Sequence, residues 1–131
     1  MNIISNGSYN FNRKILETKK NCTLIGIEKN KSKDFMKYRN SGLNQVLCKL
    51  AKKNNISIGI SFNDILNSEN RIDLLGKIMF NIKLCRKYKV KIILCNSTKN
   101  EKEIRNEKDL RAFALTLGIS PKEMNIKRFL Y

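Results

Sequence analysis

Apolar residues recur along this chain with two periods. Leu43, Val46, Leu47, Leu50 and Ala51 follow the spacing of a helix with one apolar stripe. Ser41 has the side chain of an N-cap and Asn54-Asn55 ends the pattern, so a helix opened by Ser41 is predicted. A second stripe, Ile72, Leu75, Ile78, Met79, Ile82 and Cys85, predicts a long helix from a Ser68 cap to Tyr88. A third, Leu110, Phe113, Ala114 and Leu117, predicts a helix over 107–117 with Gly118 as its C-terminal cap. Residues 12–18 carry one or two helical turns with Ile15 and Leu16 inward. Between these helices stand short β-branched runs. Residues 1–4, 21–27, 56–62 and 90–96 read as strands, and the third alternates cleanly. Asn63 caps a short turn. Ser120-Pro121-Lys122-Glu123 has the form of a capping box and predicts one last short helix.

Strands alternating with helices imply a parallel sheet, and hence the α/β class. Four strands are too few for an eight-stranded barrel, so the expectation is a single domain over 1–131 built as parallel β/α units, a half or truncated TIM-barrel-like fold. Residues 28–40 form a basic loop, expected to be mobile without a partner. Function in such folds sits where the strands end, which points to the loops 26–40, 62–68 and 96–107.

Charge changes the picture most. Lys+Arg is 27 and Asp+Glu is 11, a net of +16. The preference for 20 Lys over 7 Arg fits an AT-rich genome, but acids suit such a genome too, so their shortage needs another reason. A polyanion is that reason, because cations that neutralise phosphates release counterions. There is no His, which removes the usual means of zinc and general acid–base chemistry. Cys22, Cys48, Cys85 and Cys95 contain no C-x-x-C pair, so the expectation is four reduced thiols packed as small hydrophobes in a cytoplasmic protein. The start, Met1-Asn2-Ile3-Ile4-Ser5-Asn6, does not look like a secretory signal, and no membrane contact is expected. Runs such as Ile92-Ile93-Leu94-Cys95 fall far short of the about 20 apolar residues of a membrane span.

Four stretches, in order, resemble a known family. Arg39-Asn40-Ser41-Gly42-Leu43-Asn44-Gln45-Val46-Leu47 is similar to the segment that opens the central helix of ribonuclease P protein component 3. Ile58 through Leu66, Asn81 through Val90, and Glu103-Ile104-Arg105 with Asp109-Leu110 and Leu117-Gly118-Ile119-Ser120 resemble its later segments. The resemblance implies a TIM-barrel-related fold and a non-catalytic subunit of the enzyme that trims the 5′ leader of precursor tRNA. It implies ribonuclease P RNA and ribonuclease P protein component 2 as partners, with precursor tRNA met indirectly. No cofactor is expected on this chain, and Mg2+ is expected to serve the catalytic RNA of the holoenzyme. The sequence departs from the family where Gln45 stands in place of a frequent His, and where Asn96-Ser97-Thr98 replaces a loop of small residues. The first half of the family's barrel has no counterpart here.

The RNA-binding candidates are Arg39, Asn44, Gln45, Lys49, Lys52, Lys53, Lys83, Arg86, Lys87, Lys89 and Arg105. Arg105 precedes a predicted helix start, where free N–H groups and a forked guanidinium make a phosphate site. It reads equally as a loop arginine paired with Glu101, Glu103 or Asp109. Asn44 either touches RNA or bonds backbone and holds its loop. Lys49, Lys52 and Lys53 suit a helix carboxyl end as well as a phosphate, and Lys83, Arg86, Lys87 and Lys89 suit a solvated helix face. Two other functions stand beside the first. One is a different ribosome- or RNA-associated basic α/β protein. The other is a metal-dependent phosphoesterase using Asp64, Asp73, Glu101 and Glu103.

Overall fold

A computed structural model describes residues 2–5, 7–29, 41–61, 65, 69, 71–98, 107–119 and 126–130. The elements in order are β1 (Asn2–Ile4), α1 (Tyr9–Thr18), β2 (Thr23–Ile25), a 3-10 turn (Ile27–Lys29), α2 (Gln45–Lys53), β3 (Ser57–Ser61), α3 (Arg71–Tyr88), β4 (Ile92–Thr98), α4 (Glu107–Leu117) and β5 (Ile126–Leu130). The ladders between these strands are all parallel, and the strands lie in the order β1-β2-β3-β4-β5. A doubly wound sheet reverses its strand order at a switch point. This one adds each strand beside the last without reversal, which is the progression of a β/α barrel. The expected α/β class and parallel β/α units are therefore what the chain forms, with β5 joining the four expected strands.

The fifth strand corrects the sequence reading. β5 has Lys127-Arg128 at its middle, so it shows neither alternation nor an apolar run. Its pairing with β4, from Leu94↔Ile126 to Thr98↔Leu130, makes it a strand. The capping box over 120–123 lies outside the described residues.

Register divides the sheet into two faces. Ile3, Leu24, Ile58 and Ile92 stand side by side, as do Ile60 and Leu94. This row packs into one core with Ile15 and Leu16 of α1, Leu47, Cys48 and Ala51 of α2, Ile78, Ile82 and Cys85 of α3, and Ala114 and Leu117 of α4. On the other face Ile25, Gly59 and Ile93 are in line, and the two isoleucines pack together as a separate apolar pair. Thr23, Ser57 and Ser61, also buried there, are small and polar. One face thus holds the helices and most of the large apolar side chains, while the other carries the Ile25–Ile93 pair among small residues.

Helix starts differ from expectation in two places. Ser8 caps α1, so that helix begins three residues before position 12. The cap of α2 is Asn44, whose Oδ1 accepts from the Leu47 N–H at 2.9 Å; Ser41 is not the cap. Gly42 at φ +87° breaks any helix from Ser41, and Leu43 turns into the core ahead of the helix. Val46, expected inward, is about half exposed at 49%.

The buried face of α3 is rotated from the expected stripe. Ile72 (84%) and Met79 (43%) are exposed, while Lys77 and Asn81 are buried. Hydrogen bonding selects this face. Asn81 Nδ2 donates to the Ser41 carbonyl at 3.2 Å, and Lys77 Nζ pairs with Asp73 at 3.3 Å. Apolar spacing could not reveal two buried polar residues that are held in this way. Cys22, Cys48 and Cys85 are free and buried, as expected for packed thiols. The Cys95 side chain lies outside the described residues.

Candidate nucleic-acid interface

Because the strands are parallel, every described helix has its carboxyl end where the next strand begins. α2, α3 and α4 finish there in the same way. Asn55, Lys89 and Gly118 each take a positive φ (+54°, +58° and +98°) just after these helices. The residue after each donates back to the last turn: Ile56 to Ala51, Val90 to Cys85 and Ile119 to Ala114, at 2.8, 2.8 and 3.0 Å. This is the Schellman closure, in which a left-handed residue lets an apolar residue drop back onto the helix. Ile56, Val90 and Ile119 are accordingly buried. After α1 the chain turns at Asn21, also left-handed at φ +54°.

These passages are stitched to one another. The Asn21 N–H donates to the Asn54 carbonyl at 3.0 Å, and Asn55 Nδ2 donates to Asn21 Oδ1 at 2.8 Å. Asn54 Nδ2 reaches the Leu16 carbonyl at 2.6 Å, tying α2 to α1. The Ile58 N–H donates to the Lys91 carbonyl at 2.9 Å. Hydrogen-bonded strands lie about 4.8 Å apart, so the entries to β2, β3 and β4 form one continuous edge.

The charge at this edge is of one sign. Lys19 and Lys20 precede β2, Lys52 and Lys53 precede β3, and Arg86, Lys87, Lys89 and Lys91 precede β4. All are exposed, and no Asp or Glu occurs in 18–22, 52–56 or 86–91. Glu17, in the last turn of α1, bonds Arg13 at 2.8 Å on the same helix. Two of the cations have local roles as well. Arg86 donates to the Gly118 carbonyl, and Lys87 stands 5.5 Å from the centroid of the Tyr88 ring.

The candidate residues therefore separate into groups. Lys52, Lys53, Arg86, Lys87 and Lys89 come together at the strand starts, with exposed Lys49 and Lys83 farther back along α2 and α3. Asn44 and exposed Gln45 are at the opposite end, where α2 begins. There Asn44 acts as the helix cap, and its Nδ2 also donates to Tyr9 Oη at 3.4 Å. Arg39 and Arg105 lie outside the described residues, as do 30–40 and most of the strand-end loops in which a site was expected. Within 28–40, Glu28 is described, and it is buried in the 3-10 turn. Lys19, Lys20 and Lys91 complete the edge but were not among the candidates. The signal that could have found them is a Lys within about four residues ahead of β2, β3 and β4.

The two ends of the fold thus offer different chemistry. Among the described residues no group of three or more His, Cys, Asp or Glu gathers to hold a metal, and no helix is long and apolar enough to cross a membrane. Of the four carboxylates proposed for a phosphoesterase, Asp73 is paired with Lys77 and the other three lie outside the described residues. What the strand starts present is a row of ammonium groups suited to a polyanion.

A parallel β/α half-barrel with a one-signed basic edge is an arrangement suited to a polyanion, and similarity to known proteins gives the family. The family model for RNase P subunit p30 matches residues 12–125. The chain is 37% identical over 87 residues to ribonuclease P protein component 3 of Methanosarcina mazei, covering 65% of this chain and 36% of that protein. With the same component of Methanosarcina barkeri it shares 31% identity over 127 residues, covering 92% of this chain and 48% of that one. It is also similar to a chain in the cryo-EM structure of archaeal ribonuclease P with mature tRNA. There the TM-score is 0.76 at 28% identity, covering 89% of this chain and 48% of that chain. This chain belongs to the RNase P subunit p30 family. It spans half or less of the length of these relatives.

Proposed function

We propose that this chain is an RNA-binding protein subunit of ribonuclease P. In this reading it supports the catalytic RNA in removing the 5′ leader of precursor tRNA and supplies no catalytic group itself. Its direct partners are ribonuclease P RNA and ribonuclease P protein component 2, and precursor tRNA is met through them. Magnesium belongs with the RNA. The observation that carries the reading is the likeness, over 89% of the chain, to a chain of archaeal ribonuclease P solved with mature tRNA. The basic edge supports it independently, since exposed cations of one sign gain free energy by releasing counterions from phosphates.

The test is reconstitution. Ribonuclease P RNA and the remaining protein subunits, including component 2, are assayed on precursor tRNA with and without this chain. Faster or lower-magnesium leader removal with the chain present is expected. Recovery of ribosomal RNA in place of ribonuclease P RNA on pull-down, with no effect on cleavage, would overturn the reading in favour of another RNA-associated role.

A further inference from the structure

We propose that the edge where β2, β3 and β4 begin is the surface on which this chain grips double-helical RNA, by its phosphate backbone and without reading bases. The proposal rests on the RNA-binding reading above and adds the place and the form of RNA.

Three observations carry it. The first is contiguity. Lys19/Lys20, Lys52/Lys53 and Lys89/Lys91 stand at three strand entries that backbone bonds lock side by side: Asn21 to Asn54, and Ile58 to Lys91. Residues up to 72 positions apart in sequence (91 − 19 = 72) are thereby held in one row. The helix dipole accounts for cations in a last turn, such as Lys52 and Lys53. It does not account for Lys20 and Lys91, which lie beyond the helices.

The second is the conformation of Lys89. It occupies the left-handed position that Asn55 and Gly118 fill at the equivalent corners, at φ +58°. Glycine and asparagine tolerate that conformation and lysine does not favour it. A disfavoured residue at a surface corner points to a use for its side chain. Here the use is a positive charge in line with Lys91.

The third is what the edge lacks. Single strands are held by exposed aromatic rings on which bases stack. Among the described residues the aromatic at these entries is Tyr88, half-buried with Lys87 Nζ 5.5 Å from its ring centroid, so these residues offer no exposed stacking platform. Ammonium groups carried on a backbone-locked edge instead fit the regular phosphates of an A-form duplex, which proteins recognise by shape and backbone.

The test uses the full chain, with fluorescence anisotropy on a generic RNA duplex and on oligouridine of equal nucleotide number, each over a salt series. Lys20→Gln/Lys52→Gln/Lys91→Gln removes one charge per strand entry. Lys14→Gln/Arg71→Gln/Arg111→Gln removes three exposed charges elsewhere, and circular dichroism checks both folds. The edge variant is expected to lose roughly ten- to a hundred-fold in duplex affinity, with the log–log salt slope falling by about one per lost phosphate contact. The control is expected to stay within about twofold at moderate salt. Equal losses in the two variants would overturn the edge as the site while leaving RNA binding standing. Tighter binding of oligouridine than of duplex would overturn the assignment to double helices. Failure of the unaltered chain to bind either RNA would remove the RNA-binding reading itself.

Discussion

The Arg86 guanidinium on α3 donates to the carbonyl oxygen of Gly118, the left-handed residue that closes α4. The bond joins two helices at a corner where a backbone acceptor would otherwise face water, and it places a cation at the negative end of a helix. Arg86→Ala should therefore destabilise the fold by about 1 kcal/mol, a value near the middle for an exposed charge-assisted bond. Arg86→Lys should recover little of the loss, because an ammonium lacks the planar fork. Urea denaturation of the parent chain and the two variants checks this. Equal midpoints for the parent and the alanine variant would show that the bond contributes nothing.

Lys89→Gly is expected to act in opposite directions on stability and binding. Glycine accepts φ +58° without the Cβ penalty, so the folded state should gain about 0.5–1 kcal/mol. Loss of the ammonium should weaken duplex RNA binding severalfold. A midpoint in urea that rises while affinity drops is the expected pair of results. A fall in stability would mean that the Lys89 stem packs usefully where it stands.

Asn44 and Ser41 offer a contrast between two polar residues just ahead of the same helix. Asn44→Ala removes the cap to Leu47 N–H and should cost about 1 kcal/mol. Ser41→Ala removes a buried hydroxyl that has no hydrogen-bond partner among the described residues, so its stability should be unchanged or slightly higher. Thermal melts of the two variants read the difference, and the reverse order would restore Ser41 as the cap.

The buried thiols set an alkaline limit. Burial pushes the Cys22 thiol above its ordinary value of 9.0, and a hydrogen bond with Cys48, together with burial, raises that of Cys85 much further. A group whose value is raised on folding stabilises the fold fully below its unfolded value. That contribution is lost as pH climbs through the folded one. Stability should hold to about pH 8 and then decline, with a smaller decline in Cys22→Ala. In a Cys95→Ser background, an aromatic disulfide reagent should label none of the three remaining thiols until denaturant is added. Rapid labelling of the folded protein would contradict their burial.

The sheet was legible in the sequence where strands are apolar and period-two, as in the run from Ile56, within which Ser57–Ser61 form β3. The helix over 107–117 was legible too, because Leu117-Gly118 marks its end. β5 was not, since adjacent Lys127 and Arg128 interrupt any apolar pattern and only pairing with β4 makes it a strand. The rotated face of α3 was hidden because Asn81 and Lys77 are buried through bonds to Ser41 and Asp73, partners that hydrophobic spacing does not display. The basic edge was half legible. Its lysines on α2 and α3 stood out as runs, whereas their junction depends on contacts such as Asn21 with Asn54 that link distant positions.

Among the described residues each strand pairs only with its neighbours in sequence, so no ladder has to bridge more than one β/α unit. Loop-closure entropy rises slowly with length, and contacts that close short loops form early. Folding can thus begin at any adjacent pair and spread outward one unit at a time. β3 has the most to gain as the starting point, since all five of its residues are buried and it is laddered on both sides. The outer strands β1 and β5 each have a single neighbour among the described strands, and Ile4 of β1 remains 46% exposed. Amide protons should accordingly exchange last from β3 and first from β1, a gradient that runs across the sheet and along the order of assembly.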